Sequence, residues 1–232
     1  MPWLLHIETA TPVCSVALSH NGQLAGIRES NEKNSHSSRV TVFIDELLKE
    51  AGLEPAGLDA VSISEGPGSY TGLRIGVATA KGLCFAIGKP MIAVSTLQAM
   101  ALGLARKFKL DDKDLFCPMI DARRMEVFTG IFDSKGNLLH EITAEIITEQ
   151  SFQEFLKDHR LHFGGDGAAK CREILSKNPN TCFHDDFSAS SEYMIPLAEE
   201  RFIHKHFENI AYFEPFYLKD FVAGKPHVKG LR

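Results

Sequence analysis

The chain has 232 residues, of which 44% are apolar and 24% charged, with a formal net charge of -5. This composition excludes wholesale disorder and allows one large domain or two small ones. The negative balance argues against unaided RNA binding, which needs an excess of Lys and Arg to neutralise phosphates. The best local basic patch is the C-terminal tail, where a solvated tail is the more ordinary interpretation: Lys219, Lys225, Lys229 and Arg232.

Cysteine usage and apolar run lengths predict a cytoplasmic protein with no membrane partner. The five cysteines are odd in number and lack CxxC spacing, which favours reduced thiols over a disulfide framework. The N-terminus, MPWLLHIETA, lacks the basic flank and long apolar core of a signal peptide. No stretch approaches the roughly 18 apolar residues of a membrane-spanning helix.

The first half of the chain predicts the element order βββαβαβα. Three short strands open it, and Asn21-Gly22 signals a hairpin because both turn positions favour positive φ. The next helix is predicted to be capped by Ser35 or Ser37. The later elements are a strand at 60–64, a helix at 71–87, a strand at 91–94 and a helix at 96–108.

The second half predicts the same order. Strands are expected at 116–120, 126–132 and 138–147, and Ser151 with Glu154 forms a capping box that predicts a helix start. A strand at 161–163, a helix at 168–176, a short strand at 181–183 and a helix at 191–206 follow. The segment 212–218 is too aromatic for a free end, so it is expected to pack back on the body.

One element order repeated twice indicates an internal duplication. Two ribonuclease-H-like lobes, each βββαβαβα with three antiparallel and two crossover strands, make the α/β architecture of the actin-like ATPase (ASKHA) superfamily. We place the first lobe at 1–108 and a second, reduced lobe with the returning tail at 109–232.

The segment from Glu65 to Gly76 joins a strand to a helix, so the loop Gly66, Gly68 and Ser69 could hold an anion on its amides. It is not a P-loop, because no Lys-Ser or Lys-Thr pair follows the glycines. It also misses the dinucleotide fingerprint, since Thr71 stands where the third glycine belongs. A tight turn with a helix cap from Thr71 is the favoured interpretation.

Small residues recur every four positions on two faces of the helix at 71–87. One stripe is Gly72, Gly76 and Ala80, and the other is Ala78, Gly82 and Ala86. A glycine inside a helix costs about 1 kcal/mol relative to alanine, so a compensating close approach is expected. That approach is to the chain's own sheet or to another subunit, and the two can hold on different faces.

Three places match the nucleotide cleft of the superfamily by their position in the predicted order. Glu8, Thr9 and Thr11 lie at the first hairpin, where an acid and hydroxyls would face phosphates. Asp121 ends the first strand of the second lobe, although a salt bridge to Arg123 or Arg124 is an alternative. A loop occupies the adenosine position: Gly164, Gly165, Asp166 and Gly167. Together they predict a vestigial nucleotide cleft.

Searches for catalytic motifs return nothing. None of the ten histidines lies four residues from another, so HxxxH and HExxH are absent. No G-x-S-x-G elbow is present. We therefore predict no catalytic residues and no metal site.

Several segments resemble one family over nearly the whole chain. GPGSYTGLRIGVATAKGLCFAIGKP resembles the signature region of the TsaB (YeaZ) family, and IETATPVCSVAL resembles its start, where the family usually has Asp in place of Glu8. Residues 35–38, IDARRMEVF at 120–128, and the segments 163–167 and 214–218 resemble further landmarks.

The resemblance implies a non-catalytic subunit that binds and activates TsaD, the related peptidase M22-like enzyme that transfers threonylcarbamoyl to adenosine in tRNA. It implies that TsaE, an ATPase, joins them, and that docking on TsaD uses helices of the first lobe. On the two helices beginning near residues 36 and 71, the predicted interface comprises His36, Val40, Ile44, Leu47, Thr71, Gly72, Leu73, Gly76 and Ala80.

The resemblance further implies no intrinsic cofactor, with ATP bound only in the complex, and tRNA reached indirectly through it. A homodimer is expected when TsaD is absent. The alternative function is an ATP-dependent phosphotransferase or metallopeptidase of the same superfamily. The missing histidine pair argues against a peptidase, and Glu8 in place of the usual Asp argues against a kinase.

Overall fold

A computed structural model describes residues 1–32, 36–107 and 113–219. The first sheet has the strand order β3-β2-β1-β4-β5. β1 to β3 pair antiparallel, whereas β4 lies parallel to β1 and β5 parallel to β4. Its strands are β1 (Trp3–Glu8), β2 (Cys14–His20), β3 (Gln23–Ser30), β4 (Ala60–Gly66) and β5 (Met91–Ser95).

Three helices alternate with the crossover strands of this half, as predicted. They are α1 (His36–Glu50), α2 (Tyr70–Ile87) and α3 (Thr96–Lys107). The apolar side of α1 and the buried side of α2 pack on one core with β1, β2 and β4. The amphipathic period of α1 therefore marks an inward face, as such periods do in globular proteins.

The second sheet repeats the first in the order β10-β9-β6-β7-β8. Its strands are β6 (Asp114–Asp121), β7 (Glu126–Phe132), β8 (Leu138–Ile146), β9 (Arg160–Gly164) and β10 (Thr181–His184). The helices of this half are α4 (Gln153–Leu156), α5 (Ala168–Leu175) and α6 (Ile195–Ile203), with a short 3-10 helix at Ser191–Met194 before α6. The matching strand orders of the two sheets confirm the predicted α/β fold with an internally duplicated element order.

Two helices pack against the sheet of the opposite predicted lobe. From α3, Leu97, Met100 and Leu104 share a core with Phe116 and Phe128 of the second sheet. The helix α6, which follows the second sheet in the chain, packs instead with residues of β1, β4 and β5. The predicted boundary between 108 and 109 falls in 108–112, outside the described residues, so the division into lobes stays a prediction.

Turn and cap chemistry fixes the ends of these elements. Asn21 and Gly22 adopt φ of 53° and 70°, which confirms the predicted hairpin turn. The predicted cap of α2 is wrong, because Ser69 rather than Thr71 caps it, accepting from the Gly72 N–H at 3.2 Å. The helix begins at Tyr70, one residue before the predicted cap, so Thr71 already lies in the first turn.

Other predicted caps and bounds also differ. Ser151 does not cap a helix, because its hydroxyl accepts from the Thr148 N–H at 3.1 Å and α4 spans only four residues. Ser37 lies at the second residue of α1 and cannot precede it, while Ser35 lies outside the described residues. The last helix is split in two and ends at Ile203 instead of 206.

The aromatic segment near the C-terminus packs back on the body, as predicted. Phe213 lies against the core of the first sheet, and the Phe216 N–H donates to the Glu65 carbonyl at 2.7 Å. The Tyr217 ring lies 5.0 Å from the Tyr70 ring. Most of the predicted basic patch lies beyond residue 219, outside the described residues. Within the described ranges, no helix has the length and apolar character to cross a membrane.

Candidate functional site

One stripe of small residues on α2 faces the chain's own first sheet. The Thr9 hydroxyl donates to the Gly72 carbonyl at 2.9 Å. A Cβ added at Gly76 would overlap Thr9 Oγ1 and would lie 2.9 Å from Ile63 Cδ1. Close approach of helix and strand therefore compensates for these two glycines, and the stripe is a packing surface of the lobe.

The predicted docking residues lie mostly inside this packing. The interface prediction is wrong for the seven that are buried in the core of the chain, namely Val40, Ile44, Leu47, Gly72, Leu73, Gly76 and Ala80. The physical reason is that a helix in a globular protein first buries its apolar and small-residue face against its own sheet, which leaves that face unavailable to a partner. His36 is half-buried and donates from Nε2 to the Thr11 carbonyl at 2.9 Å, whereas Thr71 is exposed.

The second stripe of small residues on α2 faces solvent. Ala78, Gly82 and Ala86 are all exposed, and a Cβ added at Gly82 would meet no atom within 4 Å in the part of the chain that the structure describes. Phe85 projects between them with 84% of its surface exposed. We call these four residues the docking face. It adjoins α1, where Val42 is 44% exposed.

The first hairpin of the predicted cleft is buried and internally bonded. Glu8 is 1% exposed, and its Oε1 accepts from the Ala10 N–H at 2.6 Å. Burial raises the pKa of the Glu8 carboxyl from 4.5 to about 7, because desolvation disfavours the charged form. Thr9 is bonded to α2, and the Thr11 hydroxyl accepts from the Val13 N–H at 3.3 Å. These polar groups are occupied by the chain itself.

The glycine loop after β4 also closes on its own chain. A Cβ at Gly68 would lie 2.7 Å from the Ala10 Cβ, and the Ser69 N–H donates to the Ala10 carbonyl at 2.7 Å. A Cβ at Gly66 would lie 2.8 Å from the Phe216 carbonyl oxygen of the returning tail. The loop is thus packed between the first hairpin and the tail, and its glycines serve close backbone contacts.

The acid of the second sheet stands in a different environment. Asp121 is exposed, forms an ion pair with Lys170 and accepts from the Arg123 N–H at 2.9 Å. The predicted alternative of a salt bridge to Arg123 or Arg124 is therefore wrong, since Lys170 of α5 supplies the cation. Asp166 Oδ1 accepts from the Asp121 N–H at 3.3 Å, which links the two predicted cleft segments.

In the loop 164–167, neighbouring side chains and backbone occupy the space into which a side chain at each glycine would project. A Cβ at Gly164 would lie 2.8 Å from Phe187 Cδ1, and one at Gly165 would lie 2.7 Å from the Met100 Cε. A Cβ at Gly167 would lie 2.9 Å from the Ile120 carbonyl carbon. These glycines allow tight packing at the carboxyl ends of β6 and β9. The described residues contain no group of three or more side chains suited to a metal ion.

Comparison with known proteins identifies the family. A sequence model described as TsaD: tRNA N6-adenosine threonylcarbamoyltransferase matches residues 16–226. The tRNA threonylcarbamoyladenosine biosynthesis protein TsaB of Haemophilus influenzae is 33% identical, covering 96% of this chain and 95% of its own length. The TsaB of Escherichia coli is 30% identical, with 96% of both chains covered. The chain belongs to the TsaB (YeaZ) family.

A solved structure agrees with this assignment. YeaZ from Pseudomonas aeruginosa superposes with a TM-score of 0.80 at 25% identity, covering 94% of this chain and 100% of that chain. The TsaB resemblance drawn from the sequence is thereby confirmed. The matches to TsaB proteins and to the TsaD family model support a role in tRNA threonylcarbamoyladenosine biosynthesis.

Sequence reasoning missed several residues that the structure makes noticeable. Phe85 interrupts the second small stripe of α2 with a large apolar side chain, and this irregularity was the available signal for an exposed face. Lys170 carried no comparable signal, because it lies 49 residues from Asp121 in the chain. Sequence reasoning also did not single out Arg74 and Lys81, which are the two cationic side chains of α2.

Proposed function

We propose that the chain is a non-catalytic subunit that binds and activates TsaD for threonylcarbamoyl transfer to adenosine in tRNA. The observation that carries this proposal is the docking face of α2, where Phe85 stands 84% exposed beside the open position of Gly82. In the complex, which we place in the cytoplasm, TsaE joins the two subunits and supplies the ATPase. Contact with tRNA is made through the complex, in keeping with a net charge of -5.

The physical argument rests on an uncompensated glycine. Gly82 lowers helix stability by about 1 kcal/mol relative to alanine, and no atom of the described residues approaches the space its missing side chain leaves. A partner helix laid along Ala78, Gly82 and Ala86 could approach the α2 backbone closely, with Phe85 as an aromatic anchor. The helix that carries the docking face, α2, and its neighbour α1 both belong to the first half of the chain.

The state of the predicted cleft supports a non-catalytic role. Glu8, Thr9 and Thr11 satisfy their polar groups within the chain, and the exposed Asp121 is neutralised by Lys170. The glycines of both loops accommodate neighbouring atoms of the chain. We accordingly propose that the isolated chain holds no intrinsic cofactor and that nucleotide is bound only in the complex.

We also propose that the docking face drives self-association in the absence of TsaD. An exposed aromatic side chain on a small-residue helix is a surface that another copy of the chain can cover. A two-fold homodimer follows, because the same patch then contributes from both subunits. Binding of TsaD to this face displaces the second copy.

Calorimetric titration with TsaD tests the proposal through Gly82→Leu. The branched side chain stands in the path of a close helix, so we expect affinity to fall about ten-fold or more. The variant alone should melt no lower than the wild type, because leucine has a higher helix propensity than glycine and no described atom lies within 4 Å of the added Cβ. Glu173→Leu is the matched control, because it places leucine at an exposed helical position of α5.

A reconstituted assay for threonylcarbamoyladenosine completes the test. Gly82→Leu should reduce product formation in proportion to the lost complex, whereas Asp121→Ala should leave it unchanged. Wild-type affinity for a folded Gly82→Leu protein would place the TsaD surface elsewhere. Loss of product for Asp121→Ala with intact TsaD binding would show that this chain takes part in the chemistry.

A further inference from the structure

The segment 213–219, here called the strap, spans the two sheets. At one end Phe213 packs on the core of the first sheet, and the Phe216 N–H donates to the Glu65 carbonyl at the end of β4. At the other end Leu218 packs with the core formed by α3 and the second sheet, and Lys219 forms an ion pair with Glu126 of β7. The strap is thus anchored on both sides.

An open groove lies between the strap and α2, with a volume of about 400 Å³. Tyr70, Arg74 and Lys81 line it from the helix, and Phe213, Glu214 and Tyr217 line it from the strap. Ala78, a member of the docking face, also borders it. The groove and the docking face are therefore one continuous surface around α2.

The helix wall of the groove is cationic. Arg74 and Lys81 are the only charged residues of α2, and neither forms an ion pair within the described part of the chain. The Arg74 guanidinium lies 5.1 Å from the centre of the Tyr70 ring and donates to its hydroxyl at 2.9 Å. Stacking on tyrosine holds the arginine in place while leaving donors for a carboxylate.

We propose that this groove is part of the TsaD interface and receives a TsaD segment that carries a carboxylate next to an apolar side chain. This inference rests on the proposed function and adds the strap as a second wall of the interface. The carboxylate pairs with Arg74 and Lys81, and the apolar side chain packs between Tyr70 and Tyr217. Because the strap is anchored on both sheets, TsaD binding on α2 is coupled to the second half of the chain.

The charges around the groove favour a protein segment over a nucleic acid. Glu214 of the strap also lines the groove, and its carboxylate would repel an extended phosphate backbone laid along both walls. A segment with a single carboxylate can place it against the two cations of the helix wall, whereas a row of phosphates would also face Glu214. An RNA in the groove is therefore an outcome against the proposal.

The strap wall is tested with a matched pair of tyrosines in the full chain. Tyr217→Ala removes the aromatic wall that faces Tyr70, whereas Tyr212→Ala removes a ring that is 84% exposed outside the groove. We expect TsaD affinity to fall about ten-fold for Tyr217→Ala, as for a buried aromatic anchor, and to stay unchanged for Tyr212→Ala. The thermal midpoint of each variant alone monitors the fold.

The cationic wall is tested at Arg74, which is exposed, and at Lys81, which is half-buried, with the thermal midpoint of each variant monitoring the fold. Arg74→Glu and Lys81→Glu should each weaken TsaD binding about ten-fold or more and make it less sensitive to salt. Lys157→Glu is the control, since it reverses an exposed lysine beside α4, away from the groove. The same proteins are titrated with tRNA alone.

The outcomes separate this inference from the proposed function. Wild-type TsaD affinity in the Tyr217 and charge-reversal variants, with binding lost in Gly82→Leu, would overturn the groove and leave the docking face standing. Wild-type affinity in Gly82→Leu as well would overturn both. Charge reversals that abolish tRNA binding without changing TsaD affinity would make the groove a nucleic-acid site and overturn the inference.

Discussion

The two faces of α2 carry almost the same residues at the same spacing and do opposite things. Gly72, Gly76 and Ala80 face β1 and β4 so closely that a single added carbon would collide with Thr9 and Ile63. Gly82, between Ala78 and Ala86, faces open space. The comparison teaches that a stripe of small residues indicates a close approach of another element but does not identify that element.

The largest expected effect comes from enlarging the buried face. Gly76→Leu should lower the free energy of unfolding by about 3 kcal/mol or more, because even its Cβ overlaps Thr9 Oγ1 and backbone has to move. Urea denaturation measures this loss. Gly82→Leu, with the same side chain six residues further along α2, is the control and should be at least as stable as the wild type, because leucine has a higher helix propensity than glycine. Equal stability of the two variants would erase the distinction between the faces.

A pH titration sharpens the buried side of the comparison. Glu8, next to Thr9, has its folded-state pKa raised from 4.5 to about 7 by burial. Its ionisation therefore favours the unfolded chain, so stability is highest below the unfolded pKa and falls as pH rises through about 7. Glu8→Gln removes this loss and keeps an oxygen for the Ala10 N–H. At pH 8 it should be more stable than wild type by up to about 3 kcal/mol.

Urea midpoints between pH 4 and pH 8 measure that difference. The exposed Glu173→Gln serves as the control, and its stability profile should follow the wild type throughout. Parallel profiles for Glu8→Gln and wild type would mean that the Glu8 carboxyl titrates normally in the folded protein.

The smallest expected effect is a gain on the exposed face. Gly82→Ala should raise the free energy of unfolding by about 0.8 to 1 kcal/mol, because alanine has the higher helix propensity and no atom lies near the new methyl group. A thermal melt measures the gain. Gly76→Ala is the matched control and should destabilise. A Gly82→Ala protein that is less stable than wild type would show that the chain itself already covers this face.

Element order and turn chemistry were within reach of the sequence. Alternating apolar runs and the Asn21-Gly22 turn predicted the strands of the first sheet, and the aromatic segment 212–218 predicted its own return to the body. Periodicity also separated Val40, Ile44 and Leu47 as one side of α1. It did not predict that this side faces the core, because the same pattern suits a core and an interface.

Details that depend on tertiary contacts were out of reach. The predicted interface on α2 chose the buried stripe, since nothing local distinguishes Gly76 from Gly82 before the sheet is in place. The capping box at Ser151 failed because its hydroxyl closes a turn with Thr148 instead. The Lys170 partner of Asp121 and the closing of the glycine loop by Phe216 both join residues distant in the chain.

The placement of α6 has a consequence for synthesis on the ribosome. Met194, Leu197 and Ala198 cover Leu4 and Ile92 of the first sheet, and the Ser191 hydroxyl meets the Ser15 hydroxyl at 2.7 Å across 176 residues. The N-terminal sheet therefore emerges long before the helix that shields one of its sides has been translated. Its folding can be completed only after nearly the whole polypeptide has been synthesised. A nascent chain stalled before residue 191 would expose an aggregation-prone apolar surface to chaperones.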